Sequence, residues 1–115
     1  MNPGVLALLR FPHTDLSPGK PRPVLLLAAT PGPYSDWLVA MVSSQLDQAV
    51  PDLDEVILEN DPDFPETGLK RASVVRLSRL AVVDKSLLLG KLGAVSPERL
   101  RRMQIRLCQW ISGVS

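Results

Sequence analysis

The chain has 115 residues, with 13 Lys and Arg against 12 Asp and Glu and 45% hydrophobic residues. That length and mix predict one globular domain, residues 1–115, and exclude a disordered chain. A single cysteine, Cys108, and a single histidine, His13, exclude an intramolecular disulfide and a Cys/His zinc cluster.

No apolar run nears the roughly 20 residues of a membrane helix. Met1-Asn2-Pro3-Gly4 lacks the basic start of a signal peptide, so a reducing cytoplasm is the expected compartment. Val5-Leu6-Ala7-Leu8-Leu9 reads as a strand. Pro12, Pro18, Gly19, Pro21 and Pro23 then make a turn-rich stretch that suits neither helix nor central strand. The continuous apolar run Val24–Ala29 fits a strand buried on both faces, and Thr30-Pro31-Gly32-Pro33 is a turn. Trp37 to Ser44 forms a third strand that drifts from apolar to polar, and Trp37 at its start is expected in the core.

Glu55-Val56-Ile57-Leu58 suggests a short strand, and residues 60–68 read as a loop rich in Asp, Pro and Gly. Two further strands, Ser73–Leu77 and Arg79–Val83, are expected to follow one another around a bend. Asp84 is a candidate N-cap for a short helix through Ser86–Leu89 that ends at Gly90 or Gly93. Ser96-Pro97-Glu98 is a stronger helix start: a capping serine, a first-turn proline and an acid facing the dipole. Leu100, Met103, Leu107 and Ile111 then form one helical stripe, with Arg99, Arg102 and Arg106 on the other side and Gly113 as the stop. Cys108 borders the stripe and is expected to be a small buried hydrophobe, and Trp110 beside it suits packing or a dimer surface. The predicted fold is α+β: a small, strongly curved sheet with a terminal helix packed against it.

The near-neutral total hides an asymmetry. Residues 1–60 carry three basic and seven acidic side chains, whereas residues 61–115 carry ten basic and five acidic ones. Such an imbalance marks either a polyanion-binding face or a solvated surface whose halves mix in space. No phosphate-binding glycine loop, serine elbow or metal-ligand cluster occurs. What remains are polar residues at the ends of apolar strands: Arg22 entering the second, Ser43, Ser44 and Gln45 leaving the third, and Arg76 within the fifth.

Gly4–Pro12 followed by Arg22-Pro23-Val24-Leu25-Leu26 resembles the opening of MazF/PemK-type toxins, the ribonuclease components of toxin–antitoxin pairs. Val39–Gln45 is similar to their third strand. Gly68–Arg76, Val83-Asp84-Lys85 and the helix at Ser96-Pro97-Glu98 complete the series in order along nearly the whole chain. The resemblance implies an SH3-like barrel with helical additions, usually a homodimer. It also implies cleavage of single-stranded RNA without a metal or other cofactor, and restraint by a cognate antitoxin. The implied chemistry has a ribose 2′-hydroxyl attack the adjacent phosphate, leaving 2′,3′-cyclic phosphate and 5′-hydroxyl ends. That reaction needs a base, a donor for the leaving oxygen, and positive charge on the phosphoryl oxygens.

Carried over residue by residue, the resemblance puts Arg22 at the catalytic arginine and Ser43 at the catalytic hydroxyl, with Ser44 as its alternative. Arg76 matches an arginine that some members use as general acid or clamp. Those members carry an aspartate two residues later, where this chain has Ser78. His13, whose ordinary pKa lies near neutrality, is the candidate base, with Asp15 as the alternative. Lys20, Ser44, Gln45 and Phe64 are candidate RNA contacts; Phe64 and Trp37 are aromatic surfaces on which a base can stack. Val5, the loop Leu16–Pro21 and Arg79-Leu80-Ala81 depart from the usual family residues. Two other functions are compatible with the same fold: inhibition of a protein target such as gyrase, and a degraded member that binds antitoxin or RNA without cutting.

Overall fold

The computed structural model describes residues 1–10 and 20–113, and His13 and Asp15 lie outside them. Among the described residues six strands form one antiparallel sheet: β1 (Val5–Leu9), β2 (Arg22–Ala29), β3 (Asp36–Ser43), β4 (Glu55–Ile57), β5 (Ser73–Asp84) and β6 (Leu88–Ala94). Their spatial order is β4-β5-β3-β2-β1-β6. Two helices complete the fold, α1 (Phe64–Thr67) and α2 (Pro97–Ser112). This is the expected α+β, SH3-like barrel type of sheet with helical additions.

The apolar runs make buried strands because both faces of the sheet are covered. On one face Leu6, Leu25, Leu27, Ala40, Val42, Val75 and Leu77 pack with Met103 and Leu107 of α2. On the other, Val5, Leu9, Val24, Leu26, Val39 and Val83 form a second cluster against which Trp37 and Met41 pack. Register shifts bend the sheet between Leu26 and Ala28 of β2, and between Ala40 and Met41 of β3. The second shift faces Leu77–Arg79, so the two strands expected around a bend are one twelve-residue strand with an irregularity where the bend was placed.

The segment after Asp84 differs from the sequence reading. Asp84 does cap a turn, its side chain accepting from the Ser86 N–H, but that turn is a three-residue 3-10 helix, Lys85–Leu87. Leu88–Ala94 then pairs with β1 as an edge strand. Two glycines within seven residues weaken any helix there, and the open edge of β1 offers a full ladder of backbone partners. Gly93 has a second reason. A Cβ on it would run into the backbone carbonyls of Glu66 and Thr67, so α1 seats directly on β6. The expected loop at 60–68 thus contains α1, stopped by Gly68 in the left-handed region at φ 73°.

Helix α2 starts as the sequence predicts. The Ser96 hydroxyl accepts from the Arg99 N–H at 3.1 Å, and Gly113 ends the helix at φ 72°. Its last turns overhang the core, which leaves Cys108, Trp110 and Ile111 exposed rather than buried. The arginines on the other side of the helix are ion-paired rather than free, although Arg102 is exposed. Arg99 is 6% exposed and is held by Glu55, Asp61 and Asp63 at 2.8–2.9 Å. Arg102 and Arg106 reach the same Glu55 carboxylate at 2.6 and 2.9 Å. The acidic stretch around β4 therefore neutralises the basic row of α2.

Burial alone would lower the pKa of the Arg99 guanidinium, but the hydrogen bonds it donates to Asp63 and Asp61 outweigh it and the net shift is upward. In return, the hydrogen bond from Arg99 pulls Asp63 down to about 2. Asp61 is lowered by the Leu58 N–H and then by Arg99.

Candidate RNA-binding groove

The strand register decides which polar side chains meet. Met41 of β3 pairs with Val24 of β2 and with Arg76 of β5. Ser43 lies two residues beyond Met41, and Arg22 two residues before Val24. Side chains alternate along a strand, so Arg22, Ser43 and Arg76 project from one face at one end of the sheet. They line a groove of about 760 Å³ together with Lys20, Ser44 and Gln45. Six of the ten residues nominated from sequence are therefore brought together, with Asp15 and Trp37 counted among the ten.

Phe64 is not one of them. It opens α1 and packs against the main core, because the loop that seemed to expose it is folded onto β6. Trp37 is half-buried at the opposite end of β3, packed against the second cluster as the sequence reading expects. His13 and Asp15 lie outside the described residues.

Electrostatically the groove is one-sided. Lys20, Arg22, Lys70, Arg71, Arg76 and Arg79 line it, and no carboxylate does among the described residues. Lys70, Arg71 and Arg79 gained no role from the sequence. The pair Lys70-Arg71 directly after Gly68-Leu69 was the available signal, but only the fold shows that this segment borders the strand ends. Six cations on one concave surface suit a polyanion, whose charge they neutralise at several points.

Hydrogen bonds organise the floor. The Gln45 N–H donates to Ser43 Oγ at 3.1 Å, so the serine hydroxyl keeps its own proton for an incoming acceptor. Gln48, also unforeseen, accepts from Arg76 Nη1 at 3.2 Å and donates to Gln45 Oε1 at 3.1 Å. Arg22 has no partner among the described residues, leaving its planar fork of donors free for a phosphate. The described part of the groove thus offers hydroxyl, amide and guanidinium donors with positive charge. That is a surface for gripping a phosphodiester.

A curled antiparallel sheet with a cation-lined groove at one end and a C-terminal helix behind it defines the class of protein. The chain matches the family model described as PemK-like, MazF-like toxin of type II toxin-antitoxin system over residues 2–111, and it belongs to that family. Among solved structures it is similar to the Mycobacterium tuberculosis toxin MazF-mt6, with a TM-score of 0.68 and 15% identity, covering 94% of this chain and 96% of that one. It is also similar to an endoribonuclease in complex with its cognate antitoxin from a mycobacterial species. There the TM-score is 0.65 and the identity 16%, covering 96% and 93% of the two chains. No curated protein sequence matches it significantly. At such identities the solved structures carry the fold.

Proposed function

We propose that this toxin is an endoribonuclease that cuts single-stranded RNA at selected sequences without a metal ion. The observation that carries the reading is the convergence of Arg22, Ser43 and Arg76, from three strands, on one groove lined by six cations. Family membership supports it, as does the likeness in fold to proteins named endoribonucleases.

In the proposed reaction a ribose 2′-oxygen attacks the neighbouring phosphorus while the P–O5′ bond breaks. The 2′-hydroxyl proton passes to a base, His13 or Asp15, and the departing 5′-oxygen takes up a proton from solvent water or from Arg76, the general-acid candidate. The products carry a 2′,3′-cyclic phosphate and a 5′-hydroxyl. Arg22 and Arg76 neutralise the charge that grows on the phosphoryl oxygens, and the Ser43 hydroxyl donates to one of them. Lys20, Ser44 and Gln45 hold the flanking nucleotides. In this reading the protein works as a homodimer in the cytoplasm, and an acidic or amphipathic segment of a cognate antitoxin occupies the groove in RNA's place.

The test is incubation of purified protein with a long single-stranded RNA in excess EDTA, with product ends mapped. A parallel RNA carries 2′-deoxy substitutions at the cut sites. Discrete cuts with cyclic-phosphate ends, lost on 2′-deoxy substitution and in Arg22→Ala, are expected. Folded protein that cuts nothing yet stops growth would point to a protein target. Absence of both cutting and growth arrest would mark a degraded member.

A further inference from the structure

Beneath the groove lies a buried carboxylate. Asp54 sits just before β4, and its side chain is fully buried. Three donors fix it. The Val50 N–H reaches Oδ2 at 2.9 Å, the Ser78 N–H reaches Oδ1 at 3.0 Å, and the Ser78 hydroxyl lies 3.0–3.1 Å from both oxygens. Ser78 is presented by the irregularity in β5, so the bend in that strand is tied directly to Asp54.

Arg76, two residues away on the same strand, turns its Nε toward this carboxylate. The Nε is buried, has no hydrogen-bond acceptor among the described residues, and lies 3.8 Å from Asp54 Oδ2. That is an ion-pair distance and too long for a hydrogen bond. Nη1 of the same guanidinium donates to Gln48 in the groove. The contrast with Arg99 is informative. Arg99 spends its guanidinium on three carboxylates in direct contact. Arg76 has one carboxylate behind it and lines the groove.

We propose that Asp54 is a positioning residue of the nuclease: from below the groove it aims Arg76, through Nε, so that the Nη edge meets the scissile phosphate. The proposal rests on the RNA-cleaving reading given above. A carboxylate held by three donors cannot follow the arginine, so the arginine must orient to it. An aimed guanidinium acts mainly where charge develops, in the transition state. Asp54 touches no substrate and acts only through Arg76.

The experiment measures kcat and KM separately, on a short RNA spanning a site that the wild type cuts. The proteins are wild type, Asp54→Asn, Arg76→Ala and the double variant. Asp54→Asn is expected to lower kcat roughly tenfold with KM nearly unchanged, as loss of a supporting shell does. In the Arg76→Ala background the same change is expected to cost nothing further. An unchanged kcat in Asp54→Asn, or an equal loss with and without Arg76, overturns the proposal. Wild-type protein that cuts no RNA overturns instead the reading on which it rests, and this proposal with it.

Should Asp54→Asn fail to fold, the wild type itself still decides. The Arg76 Nε–H, assigned by its loss in Arg76→Lys, is expected to exchange with solvent more slowly than that of Arg22. Equal exchange rates would overturn the proposal.

Discussion

Two arginine-rich regions lie on one small fold and behave oppositely. In α2, Arg99, Arg102 and Arg106 converge on Glu55, with Asp61 and Asp63 completing the cluster. At the strand ends, six cations line a groove to which no described carboxylate contributes. The first region has consumed its charge in holding the helix to the sheet; in the second, Arg76 alone is ion-paired among the described residues, with Asp54 behind it. A count of basic residues along the chain does not distinguish them, because what matters is whether an acid from a distant segment folds onto each one.

The comparison breaks most sharply at Arg99. Arg99→Ala leaves Glu55, Asp61 and Asp63 facing one another, and removing one partner of a buried ion cluster costs about 3–5 kcal/mol. Urea unfolding is expected to show that loss. Arg22→Ala is the mirror experiment. It is expected to lower kcat for RNA cleavage by roughly 10²–10³-fold, as loss of a transition-state donor does. Its urea midpoint is expected to stay at the wild-type value, since the side chain is exposed and has no partner among the described residues.

Acid sharpens the same contrast. Asp63 titrates at about 2 in the folded protein against 3.8 as its ordinary value. The unfolded chain therefore takes up the proton first, and the stability this group contributes is complete above that ordinary value. It is lost as pH falls through the window down to about 2. Unfolding followed across that window should show the loss in the wild type and less of it in Arg99→Ala. A smaller effect tests the groove cations. Lys70→Ala and Arg71→Ala should each flatten the dependence of log affinity for single-stranded RNA on log salt by about 0.7. Arg102→Ala, a change in the paired row, should leave that slope unaltered.

Much of this was legible along the chain. Apolar runs marked β1, β2, β3 and β5 because both faces of the sheet are covered, and the Ser96 cap and Gly113 stop bounded α2 because both act within one turn. Arg22, Ser43, Ser44, Gln45 and Arg76 were legible as polar residues closing apolar strands, and the family resemblance gave them roles. β6 was not legible, since its pairing with β1 joins segments some 80 residues apart while its local pattern is compatible with a helix start. Phe64 and Cys108 were misjudged for a related reason. Exposure depends on what packs above a residue, here α1 against β6 and the overhanging end of α2.

Local signals along the chain set the elements of the fold and the order of motifs that marks the toxin family. Burial of an apolar run, a capping hydroxyl and a stopping glycine all act over a few residues. Which charges are paired and which are available is set by how the chain packs in three dimensions. That packing sets Glu55, Asp61 and Asp63 against the arginines of α2, gathers Lys20, Arg22, Lys70, Arg71, Arg76 and Arg79 around one groove, and puts Asp54 behind Arg76. Electrostatic pairing acts through space between side chains tens of residues apart, and no pattern along the chain encodes that distance.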